Sequence, residues 1–206
     1  MNSKKEDIRQ LRPAYVIWSA FCFMLFVYEP LLMYSTNKND FWFDFGIMIF
    51  PTLLIFALFL IAGAVLITAF YLIVAKFTGG GVYRCAVTAL FVVFLAAYIQ
   101  GVYLSTSLPG LTGEPIAWDK YLKEDLLTAA LWVILETAAI ALIVKFGTEP
   151  VVKWESRISA AIVVMLLAGL LPQMISNNAF EKKDALILTG QANKNERTLI
   201  CIFDRR

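Results

Sequence analysis

Residues 46–75 run for thirty positions without one charged side chain, and few folds can accommodate such a stretch. At about 1.5 Å of rise per residue a helix of that length is roughly 45 Å long, more than the ~30 Å hydrocarbon core of a bilayer. It therefore reads as a transmembrane helix that tilts or protrudes at one end. Pro51 lies near its start, where a missing backbone donor does least harm. Splitting the run into two helices would require a polar turn, and Ala62-Gly63-Ala64 is a poor one, so a single helix is expected.

Four more segments have the length and apolarity to cross. The first, 14–34, follows the polar MNSKKEDIRQLRP and carries Trp18, Tyr28 and Tyr34 as expected interfacial anchors. It is too long for a signal-peptide core and no small-x-small cleavage site follows it, so it reads as retained. The third span, 82–104, comes after KFTGGGVYR, whose three glycines suit a reversal between antiparallel neighbours. The fourth, 126–144, is preceded by a segment broken by Pro109, Gly110, Gly113 and Pro115. The fifth, 158–175, is the shortest, with Pro172 weakening its final turn. The expected fold is an all-α membrane protein, a bundle of about five transmembrane helices. Residues 1–13 form a cytoplasmic N-terminus, 14–175 the transmembrane domain, and 176–206 an extramembrane tail.

Composition agrees. Apolar residues make up 60% of the chain and charged residues 17%, against about 45–50% and about 25% in soluble domains. A net charge of +2, with the basic residues between apolar blocks, indicates the lipid bilayer as partner and no nucleic acid. Cys22, Cys85 and Cys201 lack metal-type spacing and read as buried, reducible thiols. Histidine is absent, which removes imidazole bases, His-ligated zinc and Ser-His-Asp triads.

Basic residues set the expected orientation. Loops sharing a side with the N-terminus hold Lys4, Lys5, Arg9, Arg12, Lys76, Arg84, Lys145, Lys153 and Arg157, whereas the opposite loops hold Lys38, Lys120 and Lys123. The positive-inside bias places the N-terminus in the cytoplasm, so that with five spans the tail is extracytoplasmic.

Among the polar residues within spans, Glu136, Gln100 and Glu29 stand out. Glu136 lies near the centre of the fourth, where an ionisable group is costly enough to be a functional candidate by default. It reads either as a proton or cation relay, or contact to a lipid headgroup or substrate, or as a protonated carboxyl donating one hydrogen bond to a neighbouring helix. The second reading is preferred because no other mid-membrane charge accompanies it. Gln100 and Glu29, the latter followed by Pro30, sit near the outer ends of the third and first spans, facing the same compartment as Trp42, Trp118 and Tyr121. Together these residues could line an outer vestibule.

The tail is polar until Thr198-Leu199-Ile200-Cys201-Ile202-Phe203-Asp204, a strand-like run closed by an acid. A lone strand cannot form a sheet, so the run reads as the first strand of a missing domain. Three motifs, Asp40-Phe41-Trp42-Phe43, Leu111-x-Gly113-x-x-Ile116-x-Trp118-x-x-Tyr121 and Leu199-Ile200-Cys201-Ile202-Phe203-Asp204, resemble, in that order, bacterial plasma-membrane proteins bearing an extracytoplasmic sulfatase-like domain. Lipoteichoic acid synthases and phosphoethanolamine transferases belong to that broad group of the alkaline phosphatase superfamily. The resemblance implies about five N-terminal spans and makes Asp204 a candidate first metal ligand, the remaining ligands and the nucleophile lying beyond this chain. A divalent metal is then implied only with that further domain. One carboxylate would leave no template for phosphoryl or sulfuryl transfer. The expectation is a membrane anchor module, without enzymatic activity or cofactor of its own, whose loops help position a lipid-linked substrate. The alternative is a small self-standing membrane protein accessory to a transporter or envelope complex.

Overall fold

The computed structural model describes residues 2–41, 43–78, 80–104 and 122–182. Five helices among them are long and apolar enough to cross a membrane, and no strand occurs among the described residues. The strand-like run at the end of the sequence lies outside them.

The first span is helix α1 (Asn2–Phe23), a π turn (Met24–Tyr28) and helix α2 (Glu29–Thr36). Pro30 explains the break. It lacks an N–H and its ring crowds the carbonyl four residues earlier, so the backbone widens locally. The Glu29 N–H accordingly bonds the Met24 carbonyl, five residues back. Helix α3 (Phe45–Thr78) is continuous through Ala62-Gly63-Ala64, and α4 (Gly81–Ile99) runs into a second π turn (Gln100–Leu104). Helices α5 (Leu122–Phe146) and α6 (Thr148–Ser176) complete the bundle. Gly80 (φ 83°) and Gly147 (φ 80°) adopt the left-handed backbone that the two tight reversals need and that other residues rarely tolerate.

The fifth span is longer than the sequence suggested, beginning at Thr148 rather than at 158. Charged residues end an apolar window but do not end a helix. Its buried stripe, Val152, Glu155, Ser159, Ile162, Leu166, Leu170 and Met174, keeps helical spacing straight through the polar part. Pro172 is accommodated, and the helix stops four residues later in a Schellman cap. Asn178 takes φ 52°, its N–H bonds the Ile175 carbonyl, and the Ala179 N–H bonds that of Met174. Ala179 and Met174 also share one apolar cluster, the contact that usually accompanies this cap.

Helices α1, α4 and α6 pack against one another, α3 flanks α1 and α4, and α5 flanks α4 and α6. Ala14, Ile17 and Ala20 of α1 and Met24 of the π turn meet Tyr83, Val87, Phe91 and Phe94 of α4 and Ile162 and Leu166 of α6. Trp18 is no interfacial anchor. Its indole N–H donates to the Phe59 carbonyl at 3.0 Å, and its ring occupies the space a side chain at Gly63 would fill. Nearby, Thr68 donates to the Ala64 carbonyl, so the Tyr15 hydroxyl donates to Thr68 at 2.7 Å. Tyr34 is fully buried rather than interfacial. Phe41 and Phe43, from the first loop motif, stack on it at 5.6 and 6.0 Å, which gives those residues a packing role.

Candidate functional site

At the end of the bundle where α1 begins, charged side chains from three helices surround a cavity of about 260 Å³. Helix α1 supplies Arg9 and Gln10, α4 supplies Arg84, and α6 supplies Glu149 and Lys153, with Pro13 and Val152 as the apolar part of the wall. Lys153 and Arg9 both contact Glu149 Oε1, at 2.7 and 3.4 Å. Arg84 is oriented differently, its Nε donating to Thr148 Oγ1 at 2.9 Å. Three cations thus line the cavity beside one carboxylate, which two of them contact, leaving an excess of positive charge in the wall. Gln10 Oε1 is buried without a hydrogen-bond partner among the described residues. It lies beside the backbone of Gly80, where a Cβ would come within 3.2 Å of it.

One turn further into the bundle, Thr88 Oγ1 donates to Glu155 Oε2 at 3.1 Å, a contact buried between α4 and α6. A carboxyl taken from water needs a donor such as Thr88, because an unmatched polar group in an apolar interior is costly. The Ser159 hydroxyl donates to the backbone carbonyl of Glu155 at 2.9 Å. Glu155, Thr88, Arg84 and Gln10 were not singled out from sequence as site residues. The signal was present: Glu155 stands seven residues before Ile162 on the stripe that α6 buries.

At the opposite end the two π turns come together. Glu29 is half-buried, and its carboxylate sits over Gly101, where a Cβ would be 3.4 Å from Oε1. Gln100 opens the second π turn and is exposed. Tyr98 and Tyr103 pack edge-to-face across that turn at 6.1 Å. Glu29 and the 100–104 segment are therefore neighbours. Trp42, Trp118 and Tyr121 lie outside the described residues, and so does Asp204. Among the described residues no three His, Cys, Asp or Glu side chains converge where they could hold a metal ion.

Glu136 is placed otherwise than expected. The hydrogen bond to a neighbouring helix is not made among the described residues, and the side chain is exposed. Helix α5 turns Thr128, Leu131, Leu135 and Ala139 toward the bundle at spacings of three and four, and residue 136 falls off that stripe. Among the described residues, none of the apolar window of α5 is buried, whereas 39% of the window containing α4 is.

Comparison with protein families, curated proteins and solved structures finds no match to this chain.

Proposed function

We propose that this chain is a membrane scaffold in the bacterial plasma membrane, an anchor module that works as one component of a larger assembly and contributes no catalysis of its own. The observation that carries this reading is Glu136, an ionisable side chain at mid-span depth on a helix face that the described residues leave exposed. Polar groups in hydrocarbon are stable where another helix offers a hydrogen bond at the same depth. The outward face of α5 also carries the small residues Ala130, Thr137 and Ala141, which permit close backbone approach. The occupant is a transmembrane helix of a partner protein with a polar side chain at matching depth.

Two settings fit. The loop motifs favour the first, an anchor beside an extracytoplasmic sulfatase-like domain, with the N-terminus cytoplasmic by the excess of basic residues on that side and the loops helping to position a lipid-linked substrate. The open face of α5 is equally what an accessory subunit of a transporter or envelope complex would present.

A photo-reactive residue at Val133 or Ile140, activated in native membranes, should give an adduct heavier than the chain. Glu136→Gln should retain the adduct and Glu136→Leu weaken it, at a cost on the order of 1 kcal/mol. An adduct of twice the chain mass would assign the face to self-association. Labelling of lipid alone, with Glu136→Leu unchanged in stability, would refute the reading.

A further inference from the structure

The cavity between α1, α4 and α6 combines features that a network built only for stability does not need. Its cations outnumber its carboxylate three to one. Lys153 and Arg9 meet the same Glu149 oxygen, so their charges are held close together with one negative charge between them. Arg84 is fastened to a neutral hydroxyl through Nε. That contact fixes the plane of the guanidinium and leaves its two terminal nitrogens, the fork that suits an oxyanion bidentately, without a hydrogen-bond partner among the described residues. Gln10 adds an amide whose oxygen is buried without a partner among the described residues. At about 260 Å³ the space suits a small polar group rather than a drug-sized ligand, which takes roughly 300–1,000 Å³.

We propose that this cavity binds a phosphate group through Arg9, Arg84 and Lys153, with Glu149 holding two of the three cations in place. Arg84 is the directional donor, and Arg9 and Lys153 supply charge from the two helices that flank it. Gln10 is served by water carried with the phosphate, since its amide can be turned to present either donor or acceptor. Two sources share this chemistry, the phosphodiester headgroup of an anionic phospholipid and free orthophosphate. Both have access, because the cavity opens at the end of the bundle where the span meets the headgroup layer. The same basic residues that bias orientation in the sequence would thereby be gathered onto one phosphate.

The test uses the full chain in nanodiscs. In discs of phosphatidylcholine alone, titrated orthophosphate should raise the thermal midpoint if the ligand is a soluble phosphate group. If the ligand is a headgroup, only discs containing phosphatidylglycerol should raise it, and native mass spectrometry should find that lipid retained. In either case Arg84→Gln should weaken binding at least about tenfold, the loss expected of a charge-assisted hydrogen bond. Arg84→Lys, which keeps the charge but loses the fork, should fall between. Arg157→Gln removes a charge from the same end outside the cavity and should bind as the parent does. Should Arg84→Gln fail to fold, Lys153→Gln at the more open side of the cavity carries the same expectation. No response to either probe, or an Arg157→Gln loss as large as that of Arg84→Gln, overturns the proposal, the second outcome meaning diffuse attraction to anionic lipid. The proposal does not depend on the partner surface of α5, and Glu136→Leu should leave phosphate binding unchanged.

Discussion

Replacing Gly63 by alanine sets two opposite effects against each other at one atom. Alanine is favoured over glycine within a helix by about 1 kcal/mol, so an unobstructed site would be stabilised. Here the new Cβ would lie 1.9 Å from Trp18 Nε1 and 2.1 Å from Cε2, far inside any tolerable contact. The indole cannot simply rotate away, since its N–H donates to the Phe59 carbonyl and its ring packs edge-on against Phe21. Separating α1 from α3 or displacing the ring should cost about 1–3 kcal/mol of overpacking, and losing the indole hydrogen bond about 0.5–1.5 kcal/mol more. The steric side wins, and Gly63→Ala should be destabilised by on the order of 1–3 kcal/mol in reversible unfolding by denaturing detergent. Trp18→Ala empties the space. In the Trp18→Ala background the same Gly63→Ala change should therefore turn neutral or stabilising, a coupling that a double-mutant cycle isolates. A stabilised Gly63→Ala single variant, or an equal cost in both backgrounds, would show that Trp18 does not pack into the glycine notch.

Thr88→Val removes the described side-chain donor to Glu155 while nearly keeping its shape; the same unfolding assay should register a loss of about 1–3 kcal/mol, whereas Thr88→Ser should retain most of the stability. At Asn178, with φ 52°, valine should cost about 1–2 kcal/mol because a branched Cβ crowds the left-handed backbone, and glycine should be tolerated. For orientation, a membrane-impermeant thiol reagent applied to intact cells should label Ser107→Cys and spare Ser3→Cys once the native cysteines are replaced; the reverse pattern would invert the topology.

The spans were legible in the sequence because crossing a bilayer is a local requirement. About twenty apolar residues suffice wherever they occur, and all five windows read from the chain correspond to helices. The glycine reversal before the third span was legible for the same reason, positive φ being a property of one residue. What each helix turns inward was not legible. In a soluble helix a polar face marks the outside, but a transmembrane helix is apolar all round and its sequence offers no such contrast. Glu136 drew attention by depth, yet depth says nothing of direction, and only the packing of α5 against α4 and α6 shows that the carboxyl points away from the chain. Glu155 stood in a segment that looked like loop. Tertiary structure brought it into the bundle, because a helix continues on backbone hydrogen bonds after its apolar window has ended, and α6 carries its buried stripe with it. The cavity needs Arg9, Arg84 and Lys153 from three helices at one end of the bundle, and that convergence exists only once those helices have packed.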